Sequence, residues 1–242
     1  DGDCIPQKEW IEKMSAPFSK VDIGFVIGHT PLIKTEKNFL NRLMVFENFA
    51  QEAFNASCVG NNLTVSCVGR SIGFRKEFFK KADGYENIQS IISGDDDLLM
   101  HKIVNKTNCK INYVITENSY VYSEAPSSLN KFIKQRMRFA SKGILYYKLP
   151  FISNELKLIL PFLYILNFST LIMILFFMSD YSLLFLIPYF IKTFSDFLLL
   201  FTFCTLSKIK WDALSFITLS IFHPLYIILF STMAPFKKVQ WK

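Results

Sequence analysis

Histidine is scarce in this chain. Its 242 residues hold three, His29, His101 and His223. That scarcity speaks against a metal site built from several imidazoles. His101 stands four residues after Asp97 and could join it in a metal-dependent hydrolase, but it lacks the further histidines such a site takes. The five cysteines, Cys4, Cys58, Cys67, Cys109 and Cys204, form no C-x-x-C pair and no framework spacing, which reads as reduced cytosolic thiols. No signal peptide opens the chain. It begins at "DGDCIPQKEWIEKM", without an initiating Met or a preceding strand, so we expect a fragment lacking its N-terminal part. Four N-x-S/T sequons begin at Asn55, Asn62, Asn105 and Asn167; they could argue for a domain outside the cell, but in an Asn-rich chain they read as chance.

Apolar residues, by contrast, are abundant. They make up 51% of the chain and include 26 Phe. They are also uneven: residues 1 to about 150 are mixed and charged, and three long apolar stretches follow, Leu156–Met178, Ser182–Leu206 and roughly Ala213–Phe236. At about 1.5 Å per residue each is long enough to cross a hydrocarbon core of about 30 Å. Basic residues cluster before the first stretch and at its start (Lys131, Lys134, Arg136, Arg138, Lys142 and Lys148, then Lys157), are absent from the "SDYS" connection and return at Lys208 and Lys210. This pattern predicts a multi-pass protein of an inner or plasma membrane with its globular part in the cytoplasm. A full crossing by the third stretch would leave Lys237, Lys238 and Lys242 outside. His223-Pro224 in its middle also permits a broken or re-entrant course. The net charge of +7 suits an anionic membrane surface and a phosphate-bearing substrate, with no nucleic-acid partner expected.

In the globular part strands alternate with helices, an α/β pattern. "DIGFVIGHT" reads as a strand and "LTVSCVG" as a second one. Thr35 can cap a helix with Phe39, Leu43, Phe46, Ala50 and Ala53 on one face. "RKEFFKKADGY" is a short helix stopped near Gly84, and another runs from about Asp95 to Asn105. "INYVIT" and "SYVYSE" are extended, and a helix from about Ser127 to Tyr147 leads to the membrane.

Three short motifs carry chemistry. "GDDD" puts Asp95, Asp96 and Asp97 on the first turn of a helix, where the helix dipole favours negative charge. Helix stabilisation alone would account for that cluster. "DGD" supplies Asp1 and Asp3, whose carboxylates could reach one divalent cation. "QRMRF" supplies Gln135, Arg138 and Phe139. Arg138 suits phosphate clamping and Phe139 suits stacking, although the segment reads equally as a basic membrane-facing helix.

The order of these motifs, with about 90 residues and then about 40 between them and apolar stretches after the last, resembles the membrane-bound family 2 glycosyltransferases. These have a GT-A catalytic domain and include cellulose synthase-like, hyaluronan synthase-like and ceramide glucosyltransferase-like enzymes. "VGRSIGFRKEFFKKADGYENIQSIISGDDDLLMHKI" looks like that family's middle segment. The resemblance implies that residues 1–127 are the C-terminal part of a GT-A domain, 128–150 an amphipathic interface helix and 151–242 a membrane domain. It implies an inverting transferase acting on a nucleotide-diphosphate sugar and a lipid or glycan acceptor among membrane lipids. Asp1 and Asp3 would bind Mg²⁺ or Mn²⁺ and the donor diphosphate. The family's Glu-Asp pair falls on Asp95 and Asp96, with Asp96 as base, and its Q-x-x-R-W motif falls on Gln135, Arg138 and Phe139. Asp95 in place of Glu and Phe139 in place of Trp are departures, and the second removes an indole N–H. The family's uridine-binding first half, which normally precedes the DxD, is not seen in this sequence. Lys192 and Asp196, four residues apart inside the second apolar stretch, read as a mutually neutralising pair. As a polar path they would instead suit a transporter or channel subunit with a non-catalytic cytosolic domain, which leaves the acidic motifs unexplained.

Overall fold

The computed structural model describes residues 4–91 and 93–236. In chain order the elements are β1 (Ile5–Pro6), α1 (Trp10–Ser15), β2 (Ile23–Gly28), β3 (Leu32–Ile33), α2 (Phe39–Gly60), β4 (Ile72–Phe74), α3 (Lys76–Lys81), α4 (Asp95–Thr107), β5 (Lys110–Val114), β6 (Val121–Glu124), α5 (Leu129–Ala140), α6 (Gly143–Lys148), α7 (Asn154–Asp180), α8 (Ile187–Ser207) and α9 (Ala213–Met233). Every residue of β2 is buried, and β2 is central in the sheet β4-β2-β5, antiparallel to β4 and parallel to β5. An uninterrupted buried run is what a strand covered on both faces requires. A second small sheet has the order β1-β6-β3. The core beside β2 gathers Phe25 and Ile27 with Leu98, Leu99, Met100 and Ile103, so α4 is seated on the sheet.

"LTVSCVG" is not a strand. Side chains, not a neighbouring strand, meet two of its carbonyls: Ser153 Oγ donates to Thr64 O at 2.8 Å, and His101 Nε2 lies 3.1 Å from Val65 O. α2 starts later than expected, capped by Asn38, whose side chain accepts from Asn41 N–H. Phe39 is exposed, whereas Glu47, Asn48 and Glu52 are buried beside Phe46 and Ala53. The single helix expected over 127–147 is two, α5 and α6, parted at Ser141-Lys142. There Ser141 Oγ donates to Arg138 O at 2.8 Å.

Among the described residues, three helical segments are long and apolar enough to cross a membrane: Asn154–Asp180, Leu183–Ser207 and Ala213–Phe236. Pro224 lies inside α9 without breaking it. Within these segments Lys192 Nζ sits 2.6 Å from Asp196 and 3.4 Å from His223 Nδ1. The charged pair is thus neutralised within one helix. α9 keeps contact with the globular part over its length. Arg42 pairs with Asp212 at its start, Tyr226 bonds Glu47 in its middle, and the 3-10 turn Ala234–Phe236 packs on α5.

Candidate active site

The three aspartates of "GDDD" have three environments: Asp95 is exposed, Asp96 half-buried and Asp97 fully buried. Gly94 caps α4 with φ +86°, a conformation natural to glycine. A Cβ there would lie 2.5 Å from Asp97 Oδ1 and 2.5 Å from Lys142 Cδ, so a bare backbone is what lets Lys142 approach. Lys142 Nζ reaches Asp97 Oδ2 at 2.9 Å, and the Tyr146 hydroxyl donates a short hydrogen bond to the same oxygen. Burial works against the Lys142 ammonium, but Asp97 and Asp96 outweigh it and raise its pKa. Asp97 is therefore a buried anchor for α6.

Asp96 is held differently. Its Oδ2 accepts the Gly69 backbone N–H at 2.6 Å, and its Oδ1 accepts the Asp97 N–H at 2.9 Å. Burial, and after it the charge of Asp97, raises the Asp96 pKa against the pull of Lys142 and the two N–H groups. A carboxylate of raised basicity that keeps part of its surface open is fit to take a proton.

The "QRMRF" helix, α5, begins at Ser128, whose hydroxyl accepts from Lys131 N–H. Gln135, Arg138 and Phe139 are half-buried on it. The Phe139 ring has the Arg138 guanidinium at 5.3 Å, that of Arg136 at 5.5 Å and Lys142 Nζ at 5.9 Å. Because Lys142 also pairs with Asp97, the fold brings "GDDD" and "QRMRF" into one neighbourhood. Arg136, which the sequence marks only as one of a basic cluster, is the buried arginine. It forms a short ion pair with Glu47 and donates to Gln51 Oε1 at 2.8 Å. Burial pushes the Glu47 carboxyl up, opposed by Arg136 and Tyr226.

A second polar cluster adjoins the first through residue 70, next in the chain to Gly69. Arg70 donates to Asn48 Oδ1 at 3.0 Å, forms a short hydrogen bond to Ser123 Oγ and lies 3.7 Å from Glu52. Glu52 also accepts from Thr30 N–H at 3.0 Å and pairs with His29. Burial opposes its charge, but His29, Arg70 and Thr30 prevail and hold the carboxyl down at about 2. Arg70 also interacts with Cys4, the residue after Asp3. Ser123 lines a cleft of about 440 Å³ with Ile5, Ile33, Lys34, Thr35 and Glu124. Asp1 and Asp3 themselves lie outside the described residues.

Local patterns gave no sign of Glu47, Glu52, Arg70, Lys142 or Tyr146, because each has a partner far away in the chain. The hydrolase alternative loses its ligands. His101 is buried, with Nε2 on Val65 O and Nδ1 facing the Ser153 N–H at 3.5 Å, while Asp97 is held by Lys142 and Tyr146. Among the described residues no group of three or more His, Cys, Asp or Glu is arranged to hold a metal. All five cysteines are free thiols.

Comparison with curated proteins gives no match. Residues 1–242 match the family model described as Glycosyl transferase family 21, a ceramide glucosyltransferase-like group. This agrees with the resemblance to the membrane-bound family 2 glycosyltransferases. The chain belongs to glycosyltransferase family 21 and is a glycosyltransferase, with a sugar donor and an acceptor as its partners.

Proposed function

We propose that the chain transfers a sugar, with inversion, from a nucleotide-diphosphate sugar to a hydroxyl of a lipid or glycan acceptor at the cytoplasmic face of a membrane. The globular part is then the C-terminal portion of a GT-A domain, and the three apolar helices attach it to the bilayer. The observation that carries this reading is the contrast between Asp96 and Asp97. Asp97 is consumed by Lys142 and Tyr146, whereas Asp96 is positioned by the Gly69 N–H, partly open and of raised pKa.

Asp96 accepts the proton of the acceptor hydroxyl as its oxygen attacks the anomeric carbon, and the diphosphate departs from the opposite side. Arg138 bears on the leaving diphosphate with its planar fork, with Gln135 and Phe139 beside it on the same helix. Asp1 and Asp3 offer hard oxygen ligands, the donor set that suits Mg²⁺ or Mn²⁺, which when bound supplies charge neutralisation for the diphosphate. Asp95, exposed next to the base, helps orient substrate.

The test is turnover of Asp96→Asn and Asp95→Asn in the full chain. Asp96→Asn is expected to abolish transfer while leaving nucleotide-sugar affinity nearly intact. In the wild type kcat/KM should fall with acid through an apparent pKa above the usual aspartate range of about 3.9. Loss confined to Asp95→Asn moves the base by one residue, and normal turnover in both variants removes it from this cluster.

A further inference from the structure

A tyrosine hydroxyl in the middle of an apolar helix needs a reason, since a polar group there carries a desolvation cost. Tyr226 lies in α9, and its hydroxyl donates to Glu47 Oε1 at 2.9 Å across to α2. Glu47 also accepts from Gln51 Nε2 at 3.0 Å, and its other oxygen takes the short bond from Arg136. Arg136 in turn donates to Gln51 Oε1 at 2.8 Å, which closes a ring of contacts between α2 and α5 that α9 joins through Tyr226. Arg136 is 3% exposed and Glu47 7%, so water does not substitute for these bonds. Ring packing holds the same geometry: Phe132 of α5 lies 6.4 Å from Tyr226, and the Arg136 guanidinium lies 5.0 Å from Phe132.

Arg136 is the neighbour of Gln135 and stands two residues before Arg138. On a helix, successive side chains point about 100° apart. An arginine locked inward at 136 therefore sets the rotation of α5, and with it the direction in which Gln135 and Arg138 project. We infer that Glu47, Arg136 and Tyr226 are positioning residues: a carboxylate clamp through which the apolar helix α9 holds the "QRMRF" helix in its working orientation. None of the three needs to touch substrate. The inference rests on the glycosyl-transfer reading for its catalytic half, whereas the clamp itself is a property of the fold.

The experiment uses the full chain in lipid nanodiscs, as wild type, Tyr226→Phe and Glu47→Gln, with Lys208→Ala as a control at the exposed Lys208–Glu117 pair. Tyr226→Phe keeps the ring and removes only the hydroxyl, so it guards against misfolding of the harsher variant. Hydrogen exchange is followed over residues 129–140 and, for reference, 95–107. Turnover is followed as nucleoside diphosphate release from UDP-glucose, UDP-N-acetylglucosamine and GDP-mannose, with a hydroxyl-bearing lipid, ceramide, included in the nanodisc as the acceptor. The expected result is exchange at least tenfold faster over 129–140 in both clamp variants, with 95–107 unchanged. A fall in kcat of at least tenfold should accompany it, larger than any change in KM. Unchanged exchange over 129–140 overturns the clamp, and faster exchange with unaltered kcat overturns its catalytic role. If the wild type releases diphosphate from none of the three donors, the failure lies with the transferase reading and takes the catalytic role with it, while the exchange data still decide the clamp.

Discussion

The backbone N–H of Gly69 meets the carboxylate of Asp96 at 2.6 Å, across 27 residues of chain. The bond ties a loop that is not a strand to the first turn of α4. It fixes one oxygen of the carboxylate proposed to act as base, whereas Asp97 is held by Lys142 and Tyr146. The division of labour between two adjacent aspartates follows from where α4 is anchored.

That anchoring predicts a stability loss at Lys142 and Tyr146. Removing one partner of a buried ion pair leaves the other charge without compensation, so Lys142→Met is expected to cost about 3–5 kcal/mol. Tyr146→Phe removes one hydrogen bond to a charged group and should cost about 1.5–3 kcal/mol. Chemical unfolding in detergent micelles measures both. A Lys142→Met variant as stable as wild type would mean that Asp97 is not the anchor of α6.

The start of α9 predicts a pH dependence. Arg42 is hydrogen-bonded to Asp212 and, with the Ser215 N–H, holds its carboxyl down at about 2. A depressed carboxyl contributes stability above its unfolded pKa of about 3.9, and that contribution disappears as pH falls towards about 2. Asp212→Asn keeps a good helix cap and loses the charge. The wild type should therefore melt higher than Asp212→Asn at pH 7, and the gap should close between about pH 4 and pH 2. A gap of equal size at both ends would show that the pair does not act through charge.

Arg138 and Lys134 share a helix but not a role. A diphosphate contact uses the planar fork of arginine, which lysine lacks. Arg138→Lys is therefore expected to lower kcat/KM by orders of magnitude with membrane attachment unchanged. Lys134, exposed on α5, should matter only for the lipid surface, so Lys134→Ala should change membrane affinity by about 1 kcal/mol or less and leave turnover alone. Small and equal effects from both would reduce "QRMRF" to a basic interfacial helix.

Some of this was legible without coordinates. The three apolar helices follow from run length and scarcity of charge, β2 from its unbroken apolar run, and α4 from "GDDD" with apolar residues after it. These features are local, and local patterns suffice to specify them. The three motifs that carry the resemblance are equally local. The structure alone decided which aspartate is buried, because that depends on Lys142, which is 45 residues further along the chain and reaches back through the gap left by Gly94. It also decided that α2 buries acids. Glu47 and Glu52 would be costly inside the fold but for Arg136, Tyr226, His29 and Arg70, which come from four separate places in the chain. The apolar residues Phe39, Leu43, Phe46, Ala50 and Ala53 fall on one face of α2, but Phe39 is exposed and the acids are buried. A buried charge is tolerated only where a distant partner meets it, and the spacing of residues along one helix carries no record of that partner.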